Sequence, residues 1–119
     1  MARTLSFTGQ MNWPLEDGKQ AAKADVAFSL NYAEALSIEK VYSSTVADDP
    51  VVLPMASAKF LLLRAKTADI AVKLNGSATA ITVKAGAGFL CVNNPDGAIT
   101  GLTVTVATAP ATLELYAFA

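Results

Sequence analysis

The run Ile70-Ala-Val-Lys-Leu-Asn-Gly-Ser-Ala-Thr-Ala-Ile-Thr-Val-Lys-Ala-Gly-Ala-Gly-Phe-Leu-Cys-Val92 decides the fold. Apolar side chains at Ile70, Val72 and Leu74, then at Ile81 and Val83, alternate with Ala71, Lys73, Thr82 and Lys84. A period of two is the signature of half-buried antiparallel strands. Asn75-Gly76 tolerates positive φ and marks the first reversal, although Ser77-Ala78 points to a loop longer than two residues. Ala85-Gly86-Ala87-Gly88 makes the second. Ile70, Val72, Leu74, Ile81 and Val83 are expected to face a core. The other face carries small groups and only two lysines.

Working outward, Arg3 to Met11 alternates Leu5 and Phe7 with Thr4, Ser6 and Thr8, and reads as a first strand. Asn12 to Lys23, with Trp13-Pro14, Glu16-Asp17 and Gly18, has the composition of a loop. Val26, Phe28, Leu30 and Tyr32 then alternate with small residues in a second strand. Ala33 to Ala47 contains good helix formers, but the β-branched and aromatic run Val41-Tyr42-Ser43-Ser44-Thr45-Val46 favours a strand. Asp48-Asp49-Pro50 is expected to close it, because the residue before proline is pushed out of the α region. Val51 to Met55 is expected to be a short edge strand, since Pro54 cannot donate to a ladder. Phe60-Leu61-Leu62-Leu63 suits a strand covered on both faces. After Phe89 to Val92, Asn93-Asn94-Pro95-Asp96-Gly97 supplies a turn. Leu102, Val104 and Val106 mark another strand, and Leu113 and Leu115 open the last.

About eight or nine strands at roughly ten-residue intervals predict an all-β fold. The reading is a single antiparallel two-sheet β-sandwich over residues 1–119, jelly-roll or Greek-key like, with 1–11 as an anchoring N-terminal strand. A chain of 119 residues buries enough surface to fold without disulfides or metals.

Composition excludes several functions. Nine Lys and Arg against ten Asp and Glu, scattered along the chain, give no positive run that could track phosphates, so nucleic acid is not an expected partner. The single cysteine, Cys91, forms no internal disulfide and reads as an inert core residue. No basic start leads into an apolar stretch, so no export signal is read, and Val51 to Leu63 is too short and interrupted to span a bilayer. The expected compartment is the cytosol or a particle assembled there. With no histidine in the chain, neither a Ser-His-Asp nor a Cys-His arrangement can form within it. Glu16-Asp17 and Asp48-Asp49 lack calcium-loop spacing, and Gly86 and Gly88 lack the third glycine of a dinucleotide fingerprint. No catalytic residue, cofactor or metal is therefore assigned.

The surface is more informative. From Thr67 to Ala119 only Asp69, Lys73, Lys84, Asp96 and Glu114 carry ionisable side chains at neutral pH, fewer than a free soluble surface usually shows. Small uncharged outward residues suit close packing against other subunits. Trp13, in a polar loop, either caps the core or anchors a contact.

Leu74-Asn75-Gly76 between alternating strands, the glycine loop, Phe-Leu-Cys-Val, Ile-Thr-Gly-Leu-Thr-Val and the terminal Leu-Glu-Leu-Tyr-Ala-Phe resemble small β-sandwich virion proteins of tailed bacteriophages. The resemblance covers about the last sixty residues and is one of cadence, with no ligand motif to carry across. It implies a non-enzymatic structural protein of the virion, a decoration or cement protein on the head, with the major capsid protein or other virion subunits as partners and a homo-oligomer, a trimer by preference. A small tail or head-to-tail connector component is the alternative. A carbohydrate-binding sandwich with Trp13, Tyr32 or Tyr42 as stacking platforms is a further one. Arg3, Leu5, Phe7 and Trp13 of the first strand and its loop, together with Ala71, Lys73, Thr82 and Lys84, are the candidate interface residues.

Overall fold

The computed structural model describes residues 3–13, 22–94 and 99–119. The expected turns at 14–21 and 95–98 lie outside them. The chain divides into two compact units, Met1–Ala33 and Glu34–Ala119, where the sequence suggested one sandwich.

The first unit pairs β1 (Arg3–Trp13) antiparallel with β2 (Ala22–Tyr32), in unbroken register from Arg3 opposite Tyr32 to Trp13 opposite Ala22. Both strands run into the stretch expected to be loop. Alternation sorts the hairpin into two unlike faces. Leu5, Phe7, Gly9 and Met11 share one face with Leu30, Phe28, Val26 and Ala24. Thr4, Ser6, Thr8 and Gln10 share the other with Asn31, Ser29, Ala27 and Asp25. The Phe7 and Phe28 rings stack with centroids 5.2 Å apart. On the polar face the Thr4 hydroxyl donates to Asn31 Oδ1 at 3.2 Å and the Gln10 amide to Asp25 Oδ1 at 2.8 Å.

The second unit holds β3 (Ala35–Tyr42), β4 (Val46–Val51), β5 (Phe60–Lys66), β6 (Ile70–Leu74), β7 (Ile81–Val83), β8 (Phe89–Asn93), β9 (Leu102–Val106) and β10 (Ala111–Phe118). Its pairings nest: β3 with β10, β4 with β9, β5 with β8 and β6 with β7, all antiparallel. This unit is thus a long ribbon doubled back at Asn75-Gly76. The added pairs β5 with β10 and β6 with β9 roll that ribbon into two four-stranded sheets, β3-β10-β5-β8 and β4-β9-β6-β7. This is the strand order of a jelly roll, the double-sheet form built from two Greek keys. The root of the ribbon is held by a reciprocal pair, Glu34 N–H to Ala119 O at 3.1 Å and Ala119 N–H to Glu34 O at 2.9 Å.

The doubling point is local chemistry. Asn75 and Gly76 both take positive φ, 53° and 71°, and the Ser77 N–H returns to the Leu74 carbonyl at 2.9 Å. The Asn75 side chain accepts from the Thr100 N–H at 2.8 Å and its hydroxyl at 3.1 Å, tying the turn to the segment before β9.

The core lies between the sheets. Leu61, Leu63, Leu113 and Leu115 from one sheet meet Ile70, Val72, Val104 and Val106 from the other, each at most 1% exposed. Each such side chain contributes about 1.5–3 kcal/mol of transfer free energy on burial.

Several expectations need correction. Asp48-Asp49-Pro50 does not end a strand but lies inside β4, where the register shifts between Val46 and Asp49 and Asp48 takes φ 48°. A bulge in an edge strand accommodates proline because the missing N–H faces no neighbour. Val51 to Met55, expected to be a short edge strand, is not one: Val51 ends β4 and the chain from Val52 to Ser57 is irregular. Ile81 shares the inner face with Val72 but stays 45% exposed, because three-residue β7 is an edge strand. Within β5 only Leu61, Leu63 and Ala65 face the core, while Arg64 and Lys66 are exposed, so the strand is not covered evenly on both faces. Cys91 is not a core residue: it pairs with Leu62 on the outer face and is half-buried.

Candidate interaction surfaces

Ala71, Lys73, Thr82 and Lys84 share one surface, the outer face of β4-β9-β6-β7. Ala71 sits between Thr82 and Thr105 in one cross-strand row, and Lys73 lies opposite Thr103, which faces Pro50. Both lysines are matched. Lys73 Nζ is 3.0 Å from Asp48 Oδ1, and Lys84 Nζ is 2.9 Å from Asp69 Oδ2. The aspartates are themselves fixed, since the Asp48 N–H donates to the Thr105 hydroxyl at 3.0 Å and Asp69 Oδ1 accepts from the Ala85 N–H at 2.9 Å. The Ala85 N–H and then the Lys84 ammonium hold the Asp69 carboxyl below its ordinary range. Exposed pairs of this kind add little to stability. Their effect is a face with no uncompensated lysine, centred on methyl and hydroxyl groups, with a shallow depression lined by Asp69, Ala71, Thr82, Thr105 and Thr108.

The other four candidates lie in the hairpin. Arg3 ends β1 and is exposed, whereas Leu5 and Phe7 are half-buried on its apolar face. Trp13 is the last residue of β1, and its side chain lies outside the described residues. Of the aromatic platforms considered for sugar binding, Tyr42 is 5% exposed and packed in the core, so it offers no ring face for stacking. Among the described residues no three His, Cys, Asp or Glu gather as a metal site would require.

Sequence reasoning missed the outer face of β3-β10-β5-β8. Tyr116, Leu62 and Cys91 form one apolar row, and Phe118 and Phe60 meet edge-on at 5.9 Å in the next. Phe89 is 65% exposed and Val41 63%. The Phe60–Leu63 run hides which side chains face out, since a continuous apolar stretch has no readable period. The alternation Glu114, Tyr116, Phe118 against Leu113, Leu115, Ala117 carries the signal.

Glu114 interrupts that face. Its side chain is 11% exposed and takes Lys66 Nζ at 2.6 Å and Arg64 Nη1 at 3.7 Å. The Lys66 hydrogen bond, above all, keeps its carboxyl below the ordinary value, against the opposing pull of desolvation. Asp69 and Glu114 are therefore both depressed in the folded state. A carboxyl with a depressed folded pKa contributes stability that is complete above its unfolded pKa and is lost as pH falls through the folded one. Melting temperature is expected to be flat from neutrality to about pH 5 and to fall below about pH 4, where carboxylates ordinarily protonate. Glu114→Gln should lower the neutral-pH value and make the acid fall shallower. Parallel curves for the variant and wild type would show that the Glu114 pairs contribute nothing to it.

Comparisons of the chain with protein families, with characterised proteins and with solved structures found no match.

Proposed function

We propose that this chain is a non-enzymatic structural protein of a virion, a capsid decoration or cement subunit that binds the head shell and stabilises it across subunit joints. The observation that carries the reading is the outer face of β4-β9-β6-β7, where Thr82, Ala71 and Thr105 form a small-residue row and both lysines are neutralised in place. The row itself carries no charge that contact would strip of water, and its small side chains suit close packing against another protein. Its partner on this reading is the major capsid protein. Repetition over a lattice lets modest single contacts hold through many copies. The jelly roll supports the reading by analogy, since viral capsid domains use it, although lectins do as well and fold alone does not assign function.

Expanded empty capsids mixed with the purified chain test this. The chain is expected to co-sediment with the shells in many copies and to raise the temperature at which they break open. Absence of binding would overturn the proposal. Quantitative mass spectrometry of virions separates head from tail: a copy number equal to a single ring would reassign the chain to the tail or connector.

A further inference from the structure

We infer that the free edge of β8 is a second binding site, which takes up an extended, uncharged segment of another protein as a fifth strand added to β3-β10-β5-β8. The site belongs to the other sheet from the face proposed to meet the shell, and it goes beyond that reading.

A strand that ends a sheet presents unpaired N–H and C=O groups, and native proteins blunt such edges with charges, prolines, bulges or very short strands. Among the described residues the sandwich ends in four edges, β3 and β8 on one sheet, β4 and β7 on the other. Three of them carry these devices. Lys40 of β3 lies opposite Leu113 and Asp49 of β4 opposite Val104, so both charges stand on the inner faces. Lys40 Nζ reaches Asp49 Oδ2 at 3.3 Å and ties those two edges together. β4 adds its bulge and Pro50. β7 has only three residues, with Lys84 directly after it. β8 has none of these: its five residues include no charge and no proline, and its register with β5 is unbroken.

The backbone of β8 is also aimed for pairing. The Asn94 N–H donates to the Lys59 carbonyl at 2.7 Å, and Asn93 lies opposite Phe60. Backbone groups alternate in direction along a strand, so Leu90 and Val92 turn theirs to β5 while Phe89, Cys91 and Asn93 turn theirs to the open edge. Among the described residues no backbone hydrogen bond reaches that side. At about 3.4 Å per residue the edge is about 17 Å long, room for one strand of ordinary length.

Side chains state the chemistry of the occupant. Leu90 and Val92 point inward, opposite Leu63 and Leu61, and stay half-buried. Ile81 of β7, the edge of the facing sheet, is inward as well and 45% exposed. This side of the sandwich shows apolar groups where the other side is spanned by the Lys40–Asp49 pair. An added strand sets alternate side chains over them, and apolar ones fit. Its remaining side chains stand beside Cys91 and beside Phe89, 65% exposed, where β-branched residues pack well against a ring. A charged residue in that strand would find no counter-charge on β8. In strand addition of this kind main-chain hydrogen bonds supply affinity and alternate side chains supply specificity.

Titration of the purified full chain with the capped peptide Thr-Val-Thr-Val-Thr-Val-Thr tests this, read by binding and by amide exchange. At saturation exchange is expected to slow at least about tenfold at Phe89, Cys91 and Asn93, and to change little at Leu90 and Val92, whose N–H groups already bond β5. The fully N-methylated peptide, with no N–H to donate, should bind at least about tenfold more weakly, and lysine in place of the central valine should weaken binding by a similar factor. Cys91→Pro removes the central outward N–H and keeps the bonds to β5, since an edge strand accepts proline where its missing N–H faces no neighbour. With its unfolding curve showing it folded, it should lose the peptide-dependent protection. No protection at high peptide, equal affinity for the three peptides, or full binding by folded Cys91→Pro overturns the site; the peptide comparisons need no variant. Protection of the same three amides that rises with protein concentration in the absence of peptide would give the edge to a second copy and overturn its assignment to another protein. Capsids are not used, so failure here leaves the capsid reading standing, and a chain that ignores capsids leaves the edge site standing.

Discussion

Leu115→Ala is expected to lower the unfolding free energy by about 2–5 kcal/mol, the cost of truncating a buried leucine whose surroundings relax only in part. Leu115 is fully buried and sits midway along β10, with Ile38 on one side and Leu63 on the other. It faces the layer where the two sheets meet. In a rolled ribbon β10 is shared: it closes the nested pair with β3 and makes the added pair with β5. Loosening it weakens both the ribbon and the roll. For a unit of this size each kcal/mol corresponds to about 4–8 °C, so the melting temperature should fall by about 10 °C or more. Tyr116→Ala, one residue on and on the outer face, should cost less than half as much. Equal losses at the two positions in thermal denaturation would contradict the assignment of Leu113, Leu115 and Ala117 as the inner face.

That assignment was open to a reader of the sequence, and its neighbours show where such reading stops. Alternation at Ile70, Val72 and Val83 states the inner face correctly because each of those strands packs on one side only. Ile81 has the same periodicity yet remains 45% exposed, because exposure at an edge depends on what lies beyond the strand. Pro50 shows the same dependence. Its local preference ends strands, but an edge position beside a bulge removes the conflict, and β4 runs through it. The number and type of strands are local properties; their nesting is not. Nothing in Ala35–Tyr42 announces a pairing with Ala111–Phe118, about seventy residues away, which is set by the burial of both against the opposite sheet.

The candidate surfaces divide along the same line. Ala71, Lys73, Thr82 and Lys84 alternate outward in sequence and meet on one face in the structure. The partners that neutralise the lysines, Asp48 and Asp69, were visible as residues but not as partners. Asp48 reaches Lys73 from β4, two strands away across β9. The two lysines thus leave no net positive charge on the face, and this supports placing a contact there. The hairpin was legible as two separate strands. Its segregation into an apolar and a polar face follows only once Arg3 is set opposite Tyr32.

Ala71→Arg should separate contact from stability. Ala71 points outward between Thr82 and Thr105, and an arginine there can extend into solvent without disturbing the core. A surface substitution of this kind changes stability by no more than about 0.5 kcal/mol. In a close-packed contact the same arginine would be desolvated with no carboxylate reserved for it, since Asp48 and Asp69 already hold Lys73 and Lys84. Leaving a charge buried and unpaired at an interface costs about 2–5 kcal/mol, which at about 1.4 kcal/mol per tenfold is, on the proposed capsid-binding reading, a loss of about 30-fold or more in affinity for the shell. Phe89→Lys, on the outer face of the other sheet, is the control and should bind as wild type does. If Ala71→Arg binds normally while Phe89→Lys does not, the contact belongs to the β3-β10-β5-β8 face. Loss in both would mean that the partner grips the sandwich on both of its outer faces.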